Sequence, residues 1–198
     1  MRIAVLLSGS GRSLQNLIDR CRAGELPASI VLAISNKADA YGLERARQAG
    51  IPTHVVAKKD HPGEQFSQRI FELCREAKVD LVCLAGFLQL LTIPDEFAGR
   101  VLNIHPALLP KFGGHGMYGH HVHEAVLAAG EPVSGCTVHV ATNEYDRGPI
   151  LVQKQVPVLP DDTADTLAAR VFEAECEAYP EAIKLMAARQ YPSETSSR

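Results

Sequence analysis

Residues 101–110 read Val101-Leu102-Asn103-Ile104-His105-Pro106-Ala107-Leu108-Leu109-Pro110. The short apolar run at the start predicts a strand, and the strand period of two places Asn103 and His105 on one face. Because proline cannot donate to a sheet ladder and restrains the residue before it, Pro106 is expected to end the strand at His105. The imidazole then lies at the carboxyl edge of a sheet, where open α/β folds bind their ligands.

This Asn-x-His pair has a chemical and a structural interpretation. An amide donor beside an imidazole that exchanges a proton near neutral pH can stabilise a carbonyl passing through a tetrahedral oxyanion. The same pair is also typical of polar side chains that satisfy each other at a strand end. The rest of the sequence has to decide between the two.

Outward from this strand, apolar runs alternate with segments of helical spacing. Strands are predicted at 3–7, 30–35, 53–57 and 79–84, with helices between them. This rhythm predicts an α/β fold with a doubly wound, mainly parallel sheet and right-handed crossovers. Later runs at 133–141 and 150–158 predict an antiparallel C-terminal strand pair at the sheet edge. Residues 163–189 predict a long C-terminal helix, which Pro180 is expected to kink or interrupt.

The bulk composition indicates a globular protein with a small partner. The chain has 198 residues, of which 46% are hydrophobic and 22% charged. We expect a single domain over 1–190 and a flexible tail over 191–198. A net charge of −3 argues against nucleic-acid and membrane-surface partners. The five cysteines form no C-x-x-C pair and no targeting segment is evident, so we expect reduced thiols and a cytoplasmic location, as a monomer or homodimer.

A glycine-rich turn follows the first predicted strand, at 8–13. Such a turn directs backbone N–H groups and a helix N-terminus at an anion, which predicts a phosphate site with Arg12 beside it. The alternative is a turn that only connects strand to helix. A dinucleotide fingerprint would need glycine where Leu14 stands, and no Gly-Lys-Ser/Thr follows, so NAD sites and P-loops are disfavoured.

Two further segments have open interpretations. The apolar stretch 85–91 either packs in the core or forms the wall of a pocket for a flat heterocycle. Asp146, between the last two predicted strands, could pair with an imidazole, and His139 could add a hydrogen bond. The surrounding Asp-x-Gly-Pro sequence is also an ordinary turn composition.

Four histidines crowd the region after the Asn-x-His strand, at 115, 120, 121 and 123. His120 and Glu124 are spaced to share a helical face, but no H-E-x-x-H arrangement or cysteine pair supports a metal site. We interpret this cluster as pocket rim or surface. His115 is the member expected nearest to a substrate.

Four motifs together resemble those of the phosphoribosylglycinamide formyltransferases, within the folate-dependent formyltransferase superfamily. They are Ser8-Gly9-Ser10-Gly11, Ala85-Gly86-Phe87, Asn103-Ile104-His105-Pro106-Ala107-Leu108-Leu109-Pro110 and Asp146-Arg147-Gly148-Pro149. The resemblance covers nearly the whole chain. It implies a Rossmann-like formyltransferase fold and transfer of the formyl group of 10-formyltetrahydrofolate to the amine of glycinamide ribonucleotide in purine biosynthesis, without a metal.

The resemblance also implies roles for individual residues. Asn103 stabilises the oxyanion, His105 shuttles a proton, and Asp146 holds and charges His105 with help from His139. The expected ribonucleotide contacts are Gly9, Ser10, Gly11, Arg12, Ser13, Pro106 and Glu175. The expected folate contacts are Leu88, Gln89, Leu90, Leu91, Asn103, Thr142, Asn143, Glu144, Tyr145 and Asp146.

Several positions depart from the family pattern. Ser13 stands where asparagine is common and Arg12 replaces a small residue, so phosphate contact is expected to shift toward the guanidinium. Phe172 stands where a glutamine is expected, three positions before Glu175. Departures on the expected folate side are Gly63, Gln89 and Asn143.

Other functions remain as alternatives. The same three residues could hydrolyse 10-formyltetrahydrofolate or formylate a different amine. Hydrolase relatives carry an extra N-terminal regulatory domain, whereas this sequence opens on its first predicted strand. A methionyl-tRNA formyltransferase would need an appended tRNA-binding domain and a more basic surface. A binding module without catalysis would be expected to lack Asn103, His105 or Asp146, and all three are present.

Overall fold

The computed structural model describes residues 1–190, and the expected flexible tail at 191–198 lies outside them. Its strands form one seven-stranded sheet. They are β1 (Arg2–Leu7), β2 (Ser29–Ser35), β3 (Thr53–Val55), β4 (Leu81–Leu84), β5 (Val101–His105), β6 (Val133–Val140) and β7 (Ile150–Pro157). Their order across the sheet is β3-β2-β1-β4-β5-β6-β7.

The direction of the strands confirms the predicted doubly wound sheet. Strands β1 to β5 pair in parallel, whereas β6 runs antiparallel to both β5 and β7. The chain places β2 and β3 on one side of β1 and then returns to place β4 and β5 on the other. This reversal creates a crevice at the carboxyl ends of β1 and β4, which is where doubly wound sheets bind ligands.

Five helices cover the two faces of the sheet. They are α1 (Arg12–Arg22), α2 (Tyr41–Gln48), α3 (Gln65–Glu76), α4 (His120–Ala128) and α5 (Ala164–Gln190), with a 3₁₀ turn at Asp95–Phe97. Apolar residues of α1, α2, α4 and α5 share one buried cluster, while α3 belongs to a second cluster. Strand β1 supplies Val5 to the first cluster and Leu6 to the second, which explains its unbroken apolar sequence.

Most predicted boundaries agree with the structure to within two residues. Strand β5 ends at His105, as Pro106 predicted. Strand β3 is shorter than the predicted 53–57, and β4 begins at Leu81 rather than at 79. Within residues 1–190, no helix is long and apolar enough to cross a membrane. All five cysteines are free thiols, and burial raises the pKa of Cys74, Cys83 and Cys136 to about 12, so these three are unreactive.

Of the kink or interruption expected at Pro180, the interruption does not occur, because α5 continues through this residue. A proline inside a helix leaves the carbonyl four residues earlier without its N–H donor. Here that carbonyl belongs to Cys176, and it accepts a hydrogen bond of 2.9 Å from Nδ2 of Asn16 on α1. The side chain from the neighbouring helix therefore replaces the missing backbone donor.

Tyr179 joins α5 to the strands beneath the crevice. Its side chain is 1% exposed, and its hydroxyl lies 2.9 Å from the carbonyl oxygen of Leu84 and 3.2 Å from that of Leu102. These oxygens belong to the last residue of β4 and to the residue before Asn103 on β5. The contact therefore fixes α5 against the part of the sheet that carries Asn103.

We predict that Tyr179→Phe lowers the free energy of unfolding by about 1–3 kcal/mol, because a buried hydroxyl that bonds to backbone carbonyls is lost. Urea denaturation of the wild type and the variant measures the difference. Tyr41→Phe is the matched control, since Tyr41 is 56% exposed and should leave the stability unchanged. Equal stability of Tyr179→Phe and wild type would contradict the role given to this hydroxyl.

Candidate active site

The four predicted catalytic side chains meet at the end of β5. Asn103 lies opposite His139 in the β5–β6 ladder, and Nδ2 of Asn103 is 3.1 Å from Nε2 of His139. Asp146 arrives from the loop between β6 and β7 with a positive φ of 54°, a conformation that aspartate tolerates better than most residues. Its carboxylate lies 3.2 Å from Nδ2 of Asn103 and 3.6 Å from Nδ1 of His105.

The hydrogen bonds of Asn103 follow from the tautomer of His139. Nδ1 of His139 lies 3.1 Å from the carbonyl oxygen of Val140, so this nitrogen carries the proton and Nε2 is an acceptor. Asn103 then donates one amide hydrogen to His139 and the other to Oδ1 of Asp146. Both donors of the amide are directed at protein acceptors in the absence of substrate.

His105 has only one nitrogen available for proton exchange. Its Nε2 lies 2.7 Å from the carbonyl oxygen of Phe112, a distance that requires Nε2 to donate. Nδ1 is therefore the nitrogen that gains and loses a proton. It faces Oδ2 of Asp146, which stabilises the protonated imidazole.

The segment 112–114 holds this pair through its backbone, a contribution that sequence analysis missed. The carbonyl of Phe112 accepts from His105, and the N–H of Gly114 donates to Oδ2 of Asp146 at 2.9 Å. A Cβ at Gly113 would stand 2.5 Å from Cδ2 of Leu109 and 3.2 Å from Cβ of Asp146. The glycines of this segment were the available signal, because only residues without side chains let the backbone approach a carboxylate so closely.

Burial and charge set the protonation states of the two groups. Burial lowers the pKa of His105 and outweighs the attraction of Asp146, which raises it. Burial opposes ionisation of Asp146, but the polar contact with His139, the charge of His105 and the hydrogen bond from the Gly114 N–H together bring the pKa of this carboxyl below its ordinary value. At neutral pH the site therefore holds a neutral imidazole beside a carboxylate.

Two cavities meet at these residues. The larger, of about 480 Å³, is lined by Arg12, Ser13, Pro106 and Glu175 from the expected ribonucleotide set. The smaller, of about 50 Å³, is lined by most of the expected folate set: Gln89, Leu90, Leu91, Asn103, Thr142, Glu144, Tyr145 and Asp146. Asn103 and Asp146 line both cavities, so they stand at the junction.

Three residues of the expected phosphate loop, Gly9, Ser10 and Gly11, do not line either cavity. The carbonyl of Gly9 accepts from the N–H of Gly42, and that of Ser10 accepts from Nε of Arg45. A Cβ at Gly11 would stand 2.4 Å from Cα of Gly42. The turn thus has a packing role against α2, and its cavity face consists of Arg12 and Ser13.

Two residues of the expected folate set lie elsewhere. Leu88 lines the larger cavity, and its N–H donates to Oγ of Ser8, which in turn donates to Oδ1 of Asn36. Asn143 lines neither cavity, but its Oδ1 accepts from the N–H of Ile93 at 2.8 Å. Ser8 and Asn143 therefore anchor the segments that carry the other residues.

The histidine cluster does not converge on one point. His120 pairs with Asp165 at 3.1 Å, and His121, not His120, contacts Glu124. Among residues 1–190, no three His, Cys, Asp or Glu side chains are placed to hold a metal ion. His115 and His123 line the larger cavity. Sequence analysis did not assign Met117, Tyr118, Gly119, Val171 or Phe172 to a cavity, yet all five line it.

The relatives found by comparison with known proteins agree with one another. A sequence profile of the formyl transferase family matches residues 1–183. The trifunctional purine biosynthetic protein adenosine-3 of Drosophila pseudoobscura pseudoobscura is 48% identical over 94% of this chain, which spans only 14% of that protein. The phosphoribosylglycinamide formyltransferase of Haemophilus influenzae is 43% identical over 92% of this chain and 85% of that protein.

Solved structures agree with the sequence relatives. The crystal structure of glycinamide ribonucleotide transformylase 1 from Symbiobacterium toebii matches with a TM-score of 0.89 at 44% identity, over 94% of this chain and 87% of that one. Phosphoribosylglycinamide formyltransferase from Brucella melitensis matches with a TM-score of 0.86 at 44% identity, over 94% and 95% of the two chains. The Rossmann-like formyltransferase fold implied by the resemblance is confirmed.

We predict that His105 titrates below the ordinary histidine pKa of about 6.5. In Asp146→Asn the attraction of the carboxylate is lost, so the pKa of His105 should fall further. Imidazole NMR signals followed over a pH series measure both values. Glu144→Gln, in the same loop but without contact to His105, should leave the titration as in the wild type. A pKa of His105 above 6.5, or one raised by Asp146→Asn, would contradict the electrostatics described here.

Proposed function

The chain belongs to the formyl transferase family, and from this premise we propose that it transfers the formyl group of 10-formyltetrahydrofolate to the amine of glycinamide ribonucleotide. The products are formylglycinamide ribonucleotide and tetrahydrofolate, and the step belongs to purine biosynthesis. We assign the whole reaction to one catalytic domain, residues 1–190. We also propose a cytoplasmic location, where free cysteines stay reduced.

The observation that carries this proposal is the position of Asn103 and Asp146 at the junction of two cavities. A transfer between two substrates needs the donor and the acceptor to meet at one set of catalytic groups. The larger cavity has the volume typical of ligand pockets, roughly 300–1,000 Å³. It is also lined by Arg12, Ser13, Pro106 and Glu175, four of the residues expected to contact the nucleotide, so the amine would approach Asn103 and His105 from this side.

The smaller cavity suits one end of the folate after widening. Its volume of about 50 Å³ is below that of a typical ligand pocket, so the segments 87–91 and 142–146 must separate for a pterin to enter. Leu90 at this cavity and Leu88 beside it are each 40% exposed, and Tyr145 is 38% exposed. A flat ring bound between the segments would cover this apolar surface.

The reaction makes one C–N bond and breaks another. The amine nitrogen attacks the formyl carbon, and the carbonyl oxygen becomes an oxyanion in a tetrahedral intermediate. The bond from this carbon to N10 of the folate then breaks, while the amine loses a proton and N10 gains one. The protein must therefore stabilise the oxyanion and carry a proton between two nitrogens.

Asn103 is placed to stabilise the oxyanion. One of its amide hydrogens is directed at the neutral Nε2 of His139, which is a weaker acceptor than an oxyanion. The developing charge can take this hydrogen while Oδ1 of Asp146 keeps the other. The interaction then strengthens only as the charge develops, which is the condition for lowering the barrier.

His105 is placed to carry the proton. Its lowered pKa leaves the imidazole neutral at pH 7, so Nδ1 can accept the proton that the amine loses. Oδ2 of Asp146 stabilises the resulting imidazolium, and the Phe112 carbonyl keeps the ring oriented. The same nitrogen then returns the proton to N10.

The test is a spectroscopic assay of 10-formyltetrahydrofolate turnover by the purified protein, with and without glycinamide ribonucleotide. We expect turnover only when the nucleotide is present, with formylglycinamide ribonucleotide as the product. Equal turnover without the nucleotide would favour hydrolysis, with water as the acceptor. Turnover that responds to another amine but not to this nucleotide would identify a different acceptor, and either result would overturn the proposal.

We predict that Asn103→Ala reduces kcat by about a hundredfold or more, because one oxyanion donor is typically worth about 3 kcal/mol. Circular dichroism should show a folded protein, since Asn103 is only half-buried. Thr142→Ala is a suitable comparison, because Thr142 lines the smaller cavity and its hydroxyl hydrogen-bonds to the backbone of Glu144 in its own loop rather than to Asn103, His105 or Asp146. A kcat for Asn103→Ala close to that of the wild type would exclude Asn103 as the oxyanion donor.

A further inference from the structure

Two residues that depart from the family pattern contact each other at the wall of the larger cavity. Arg12 is the first residue of α1, and Phe172 lies on α5. The guanidinium carbon of Arg12 stands 3.8 Å from the centroid of the Phe172 ring. A cation over an aromatic face at this distance is attracted by the ring, so Phe172 holds the guanidinium in one place.

The N–H donors of the Arg12 guanidinium remain available to a ligand. Stacking uses the face of the group and leaves the N–H donors at its edge. Within residues 1–190, the side chain of Arg12 makes no hydrogen bond and no salt bridge, unlike that of Arg170, which is bound by Asp162. Arg12 is thus a positioned cation with unused donors at a cavity wall.

The surroundings of Arg12 also favour an anion. The N-cap residue of α1 is Gly11, which supplies no side-chain cap, and the first turn has no acidic residue, so the positive end of the helix is open beside Arg12. Burial raises the pKa of Glu175 to about 7 against the opposing effect of Arg12, so this carboxyl does not fully neutralise the guanidinium. The cavity therefore has an excess of positive charge at this end.

A further polar group in the same cavity lacks a partner. His123 is 4% exposed, and its Nδ1 has no hydrogen-bond partner within the described residues. Buried polar atoms are usually hydrogen-bonded, so this nitrogen is available to a ligand or an ordered water in the cavity. The cavity therefore combines a positioned cation, an open helix N-terminus and an unused imidazole nitrogen.

We propose that Phe172 is a positioning residue, which holds the Arg12 guanidinium where its donors bind the 5′-phosphate of the ribonucleotide. The identity of this ligand rests on the proposed function. Arg12 makes the phosphate contact, and Phe172 acts only through Arg12. The two departures from the family pattern are then one coupled exchange rather than two independent changes.

Steady-state kinetics of four variants test this role. We expect Arg12→Gln to raise KM for the nucleotide about 10- to 100-fold, because a charge-assisted contact to phosphate is lost. Phe172→Leu should raise the same KM roughly three- to tenfold, with a smaller change in kcat. Phe172→Tyr keeps an aromatic face and should restore a value near that of the wild type. Arg22→Gln removes the same charge at the other end of α1 and is the matched control.

The double variant Arg12→Gln/Phe172→Leu distinguishes positioning from general destabilisation. If Phe172 acts through Arg12, the double variant should have the KM of Arg12→Gln alone. If the rise in KM of the double variant equals the product of the rises in the two single variants, the two residues act independently and the coupling is contradicted. A rise in KM for 10-formyltetrahydrofolate instead of the nucleotide would also overturn the proposal, because it would place Arg12 on the other substrate.

A binding measurement separates this inference from the proposed function. Titration with inorganic phosphate, followed by the backbone amide NMR signals of Arg12 and Ser13, requires no turnover. We expect weaker phosphate binding in Phe172→Leu than in the wild type and in Phe172→Tyr. Unchanged phosphate affinity and unchanged KM in Phe172→Leu would overturn the inference and leave formyl transfer intact. If Phe172→Leu weakens phosphate binding but the wild-type protein transfers no formyl group, only the proposed function would be overturned.

Discussion

The buried carboxylate of Asp146 accepts hydrogen bonds from the Asn103 amide and the Gly114 N–H, and it lies 3.6 Å from His105 and 3.5 Å from His139. Four segments of the chain therefore depend on one charged group. A buried carboxylate is stable only while such partners remain, so the strand ends, the glycine segment and the acidic loop have to be placed together. The same contacts orient the Asn103 amide and the His105 imidazole, which links the stability of the site to its proposed chemistry.

The sheet explains how these segments come together. Strand β5 ends at His105 because of Pro106, and antiparallel β6 places His139 directly opposite Asn103. The loop after β6 then returns Asp146 to the same edge. The reversal of strand order between β1 and β4 opens the crevice beside this edge. Two cavities thus end on Asn103 and Asp146, and the proposed function assigns one of them to each substrate.

The features that the sequence predicted correctly depend on local rules. Pro106 ends a strand, and apolar runs such as β1 form buried strands, so the parallel sheet and the antiparallel pair follow from pattern alone. The features that it missed depend on backbone groups or on distant partners. The backbone hydrogen bonds that Phe112 accepts and Gly114 donates leave no signature in the sequence beyond glycine content. The continuity of α5 through Pro180 depends on Asn16, which is far away in the sequence.

A crystal structure of the protein with glycinamide ribonucleotide and a folate analogue that lacks the formyl group would test most directly whether the two cavities meet as donor and acceptor sites. We expect the nucleotide in the larger cavity and the pterin in the smaller cavity after it has widened. The amine and N10 should face each other beside Asn103, with His105 within reach of the amine. Either ligand bound away from Asn103, or both in one cavity, would contradict the proposed arrangement.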